Sequence, residues 1–367
     1  MHGMSQLLAR LDQELKTASA NIQRAEILAR KGSYLARVGR FSETREIIAK
    51  LRSHFGDGRS GHVTAWIMLT EGLLHLFENL SPLALDRVAR AQLLGLAMKD
   101  ASVIAIASAW KAHIEFEQSD FESMINSVKV AIAHVTDDDH DANARLAMVI
   151  SDSFLLCGET QVAQSWFMRS REHALKDGDQ ASIEALLYNR TAFSLARIRV
   201  ERCFSDIDSD RLSLLRMEIA SAKNLQTLTG IVALTNFIHL CEARLLILEE
   251  KYSLAIDALT NIRNAQPFAD YNFNQSFVNL EVSFCLQRLG RHAEARSVFE
   301  SIDWTAFERL DVDEQLVAAW MRRLICAEDS SMGAESVAKE LFDHLSKKYE
   351  QMRSLLSASL QPFAGIN

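Results

Sequence analysis

Asp206, Asp208 and Asp210 alternate along FSDIDSDRL. Alternating carboxylates are how a calcium loop begins, with oxygen ligands at its first, third and fifth positions. The glycine such a loop needs next is Arg211 here, and its closing bidentate glutamate is Met217. The stretch reads instead as a helix start, with Ser209 or Asp210 as N-cap of RLSLLRMEIASA. TDDDHDANARL gathers four acids with His140. A metal would need a partner cluster, and the sequence identifies none. A solvated loop with Asp141 opening a helix is the plainer account.

Catalytic patterns are missing as well. There is no HExxH, no GxSxG, no GxxxxGK[ST] and no GxGxxG after a strand. The chain is therefore expected not to be an enzyme and to carry no cofactor or metal. His239 lies in an apolar helical stretch, where satisfied packing is the usual case. Trp66, Trp110, Trp166 and Trp320 stand at helical core spacing. The five cysteines, Cys157, Cys203, Cys241, Cys285 and Cys326, form no CxxC. They read as small buried thiols in a reducing cytoplasm, not as disulfides or zinc ligands.

The totals narrow the class further. The chain has 367 residues, 48% hydrophobic and 24% charged, with a net charge of −8. An acidic chain lacks the basic surface that displaces counterions from a phosphate backbone, so no direct nucleic-acid partner is expected. No window reaches the roughly 18 apolar residues of a membrane span. The start, MHGMSQLLARLDQELKTA, turns polar too early for a signal peptide and reads as an amphipathic helix. Only 3 Pro and 14 Gly occur, which favours long helices over turn-rich β structure.

Those helices are arranged periodically. Short polar breaks recur at VGRFSET, ENLSPLA, QSDFESM, CGETQVA, EEKYSLA and LGRHAEA, residues 38–44, 78–84, 118–124, 157–163, 249–255 and 289–295. The steps are about 40 residues, except one of about twice that with a break near FSDIDSD, residues 204–210. A last break falls at 327–336. Within a unit, Ala295, Val298, Phe299 and Ile302 form a helical stripe. Helix on both sides of each break, at a fixed period, is the signature of a helical-hairpin array.

LGRHAEARSVF resembles the turn and second helix of a tetratricopeptide repeat. Gly290, His292, Ala295 and Phe299 stand at the motif's glycine, bulky, alanine and aromatic places. Looser matches are Gly39, Phe41, Thr44 and Ile48; Gly158, Ala163 and Phe167; Tyr252, Ala255 and Leu259; and Ala84 and Ala91. The small residue of the first helix matches Gly32, Gly72, Ala112, Ser151, Ala243 and Ser283. HEAT and armadillo units share the period but not this turn. The resemblance implies an all-α fold: a right-handed α-solenoid of about eight antiparallel helical hairpins. Residues 1–20 would form a capping helix, 21–350 the array, and 351–367 a helix end and tail.

In this family the first helix of each hairpin lines a concave face. Carried over by position, that face includes Ser33, Arg37, Trp66, Leu73, His113, Glu117, Arg145, Asp152, Arg244, Gln287 and Arg288. Asn189 resembles asparagines with which some such proteins hold a peptide backbone. Arg37, Arg244 and Arg288 have no acid three or four places away on their own helices, whereas Arg145 has Asp141. Arginines of this kind suit bidentate capture of carboxylates on an acidic peptide or helix. The alternative is that they pair with acids of a neighbouring hairpin, such as Glu249 or Glu281. The expected partner-binding set is Arg37, His113, Arg145, Asn189, Arg244 and Arg288. The function implied is a protein-protein interaction scaffold. The second reading is a sensor or regulatory module of bacterial signalling that binds a peptide or small ligand.

Overall fold

The computed structural model describes residues 5–55, 60–231, 234–264, 275–326 and 331–360. Among them the chain is all-helical, with seventeen α-helices, one 3₁₀ turn and no strand. The first nine are α1 (Gln6–Thr17), α2 (Asn21–Arg37), α3 (Phe41–Phe55), α4 (Gly61–Asn79), α5 (Leu83–Met98), α6 (Ala101–Glu117), α7 (Phe121–His134), α8 (His140–Leu156) and α9 (Thr160–Asp177). They are followed by α10 (Gln180–Arg202), α11 (Ser209–Thr229), α12 (Thr235–Leu248), α13 (Tyr252–Asn264), α14 (Gln275–Arg288) and α15 (His292–Glu300). The 3₁₀ turn (Trp304–Arg309), α16 (Val312–Ile325) and α17 (Ser331–Leu360) complete the series. Every break read from residues 38 to 295 falls between two helices. The break at 327–336 lies partly outside the described residues, and α17 already begins at Ser331.

Contacts group the chain into two compact units. The first holds residues 1–186, 225–233 and 352–367; the second holds 187–224 and 234–351. In the first unit, α2, α4, α6 and α8 pack on one another in succession. Each also packs on the helix that follows it, α3, α5, α7 or α9. In the second, α12 packs on α13, and α14 packs on α13, α15 and α16.

One contact explains the register of the small residues. Ser283 Oγ donates to the carbonyl of Ala295 at 2.8 Å. Ser151 does the same to Ala163 at 3.0 Å, and Thr44 donates to Gly32 at 3.3 Å. Each pair is twelve residues apart and buried. Gly72 and Ala84 occupy the same pair of places: a Cβ on Gly72 would lie 2.6 Å from Val88 Cγ2 and 3.2 Å from the Ala84 carbonyl oxygen. Two helices approach this closely only where one side lacks bulk.

The turns repeat as well. Gly39, Gly158 and Gly290 take positive φ, at 82°, 81° and 76°. After Gly290, Arg291 N donates to Leu286 O and Gly290 N to Gln287 O, which satisfies two helix-end carbonyls. Gly39 and Gly158 repeat the pattern. Ser119 and Glu250 also hold this place, at φ 59° and 60°, without glycine's freedom. The basic residue after the glycine has a local role. Arg40 and Arg291 each grip the glutamate three residues on with two nitrogens, at 2.5–2.6 and 2.6–2.7 Å.

Candidate partner-binding site

The six expected residues divide between the two units. Arg37, His113 and Arg145 belong to the first, on α2, α6 and α8. Asn189, Arg244 and Arg288 belong to the second, on α10, α12 and α14.

In the first unit, Arg37 is buried and bound. Its Nη1 lies 2.6 Å from Asp179 Oδ2 and 2.8 Å from Ser182 Oγ. Asp179 Oδ1 also accepts from Ser182 N at 3.0 Å, as the N-cap of α10. Burial alone would raise the Asp179 carboxyl; Arg37 and the Ser182 hydrogen bonds outweigh it and hold the carboxyl low. Arg145 does not pair with Asp141 by hydrogen bond. Its guanidinium sits 3.7 Å over the Trp110 ring, and Nη1 donates to Met148 Sδ at 3.2 Å. Burial, aided by the nearby Arg37, pushes Arg145 down to about 9. The His113 ring packs edge-on to Trp110 at 5.5 Å, and burial pushes its pKa down to about 3, so it is neutral at pH 7. Arg37, Asp179 and Arg145 thus place charge in the interior of the unit, with the neutral His113 ring beside them.

The same unit explains the N-terminal helix. Arg10 of α1 reaches Asp177 at the end of α9 at 2.5 Å, and Gly178 lies against Gln6. Leu7, Leu8 and Leu11 are buried. The α1 helix thus packs on α2 and on the α9–α10 corner together.

The acid-rich segments have structural duties. Asp139 Oδ2 accepts from Thr136 N and Oγ1, so the loop is closed on itself and α8 starts at His140. Asp141 is half-buried, not solvated, and burial raises its carboxyl even beside Arg37. At the DSD stretch, Asp208 holds the capping place, because α11 begins at Ser209 and Asp208 Oδ1 accepts from Asp210 N. No group of three metal-ligand residue types converges among the described residues.

The second unit carries a different arrangement. Arg244 pairs with Glu281, the acid of a neighbouring helix, at 2.8 Å. Arg199 of α10, which sequence reasoning did not select, reaches the same Glu281 oxygen at 2.6 Å. Arg288 is exposed; its Nε donates to the Tyr252 hydroxyl at 3.2 Å. Asn189 is half-buried on α10. Arg199, Arg202, Arg244 and Arg288 together line a cavity of about 60 Å³. Tyr252, Phe284, Trp320 and aliphatic side chains of α12 and α16 complete its wall. Among the described residues no carboxylate lines it. Phe284 and Trp320 stand 5.4 Å apart, and Trp320 is half-buried, unlike Trp66 and Trp110 in the core.

A second, open groove of about 670 Å³ lies along α11, α12 and α13. Its floor includes Ile219, Leu245, Leu246 and Ile262, and Asn224, Asn236, His239 and Asn261 also face it. It exists because α11 stands off from α12 and lacks the close approach of α5 to α6 or α13 to α14.

No known family model matches this chain, and no curated protein matches its sequence. Among the described residues no helix is long and apolar enough to cross a membrane.

Proposed function

We propose that the chain is a tetratricopeptide-like, right-handed α-solenoid of antiparallel hairpins, acting as a non-enzymatic protein-protein interaction scaffold. The twelve-residue contacts and the repeated turn support the architecture. The observation that carries the function is the arginine cavity of the second unit. It combines guanidiniums with aromatic walls, and one of those guanidiniums, Arg288, makes no ion pair among the described residues. Arginine and aromatic residues dominate interface energetics because they combine large contact area with directional donors. The partner is a protein or peptide segment with an acidic group. The free cysteines suit a reducing compartment such as the cytoplasm.

Cross-linking and affinity capture with mass spectrometry test this reading. Arg288→Ala and Trp320→Ala should each lose the captured partner while Arg291→Ala keeps it. Capture indifferent to the first two substitutions would remove the cavity from the function.

A sensor or regulatory module is the second reading. The groove along α11–α13 favours it, since its volume is that of a small-molecule site and amides converge on an apolar floor. A thermal-shift screen with metabolites and peptides separates the two readings.

A further inference from the structure

We propose that the arginine cavity of the second unit is an oxyanion site for a phosphoryl group on a side chain of the partner segment. This rests on the scaffold reading and names the group that the scaffold selects.

Glu281 is fully buried and holds Arg199 and Arg244 through one oxygen, at 2.6 and 2.8 Å. Glu314 backs Arg244 at 3.4 Å. Arg202 is held by Asp206 and Glu250, at 2.7 and 3.1 Å. None of these acids lines the cavity, so the guanidiniums stand between them and the empty space. Guanidinium donors therefore face that space.

Arg288 supplies the unspent valence. Its Nε is used on the Tyr252 hydroxyl, its guanidinium carbon lies 5.6 Å from that ring's centroid, and its two terminal nitrogens have no hydrogen-bond or ion-pair partner among the described residues. Tyr252 accepts that bond and keeps its own O–H to donate. Arg202 is at the same opening, and its partner Asp206 is 98% exposed, so that bridge exchanges readily with solvent.

A carboxylate offers two oxygens and one charge. A phosphoryl group offers three terminal oxygens and about −1.5 to −2 charges at pH 7. It can turn a separate oxygen to each of Arg288, Arg202 and the Tyr252 hydroxyl, and its larger charge draws the guanidinium forks more strongly than a carboxylate does. Size agrees: about 60 Å³ of accessible space is several times the ~10–15 Å³ that one water needs, enough for a head group of a few heavy atoms. Phe284, Trp320 and Leu324 line the same cavity and give the carrier of that head group an apolar surface to rest on.

The test is calorimetric titration of the full chain with phenyl phosphate and, separately, phenylacetate. Phenyl phosphate should bind about tenfold more tightly or better. Arg288→Ala should weaken it by about tenfold or more with an unchanged melting curve, and Tyr252→Phe should weaken it by a smaller factor. Arg291→Ala, an exposed arginine paired elsewhere with Glu294, should leave it unaffected. Equal affinity for the two anions, equal losses at Arg288 and Arg291, or no binding of either anion would overturn the proposal. If phenyl phosphate fails while partner capture still depends on Arg288, the phosphoryl inference falls and the scaffold reading stands. If phenyl phosphate binds through Arg288 while capture ignores Arg288 and Trp320, the scaffold reading falls instead.

Discussion

Arg37 and Asp179 are 142 residues apart in the chain and 2.6 Å apart in the fold. Their side chains are 5% and 1% exposed. The contact ties the end of α2 to the start of α10 and serves as a helix cap in the same stroke. From sequence, Arg37 is an expected partner-binding residue; in the fold its guanidinium is bound to Asp179 and Ser182. Arg37→Ala strands a buried carboxylate and should cost about 3–5 kcal/mol in urea unfolding. Because the Asp179 carboxyl is held low, its contribution is present above the unfolded value of about 3.9 and is lost as pH falls through the lower folded value.

Glu184 has the opposite sign. It is 4% exposed, and burial pushes its pKa up to about 7 despite a hydrogen bond from Thr229. An acid raised in the folded state imposes no penalty below its unfolded value of about 4.3, and the full penalty above its folded one. Glu184→Gln should therefore gain stability relative to wild type as pH rises from 5 to 8. Parallel melting curves for the two proteins across that range would contradict this.

Ala295 is fully buried against Ser283, while Ala293 is exposed on the same helix. Ala295→Leu overpacks the crossing and should cost about 1–3 kcal/mol, with Ala293→Leu nearly neutral. Equal midpoints in chemical denaturation would mean the crossing lies elsewhere.

Ser119 holds φ 59° where three other turns have glycine. A left-handed conformation costs a side-chain-bearing residue about 1–2 kcal/mol. Ser119→Gly should recover part of this, raising the melting temperature, whereas Gly290→Ala should lower it.

The thiols at Cys157 and Cys241 are pushed by burial to about 12 and 11, and that of Cys285 higher still. All three should stay unreactive toward a disulfide reagent at pH 8 until the chain unfolds. Rapid labelling of any of them in the native protein, read by peptide mapping, would contradict this burial.

What the sequence determined by itself is what short range controls. The breaks between helices, the glycine turns and the small residues at 32, 72, 151 and 283 were all legible, because sterics and hydrogen bonding within about 40 residues dictate them. The pairing of Arg244 with Glu281 was legible as one of two alternatives, because it joins neighbouring elements. Only the tertiary structure decided the rest. Arg199 carries no local mark that distinguishes it from other arginines, yet it shares Glu281 across 82 residues. Arg37 found Asp179 because the first unit brings α2 to α10, and the charge pattern along α2 does not encode that closure. The cavity of the second unit collects guanidiniums from α10, α12 and α14. Helix packing brings them together, and packing depends on how whole faces fit, which periodicity alone leaves open.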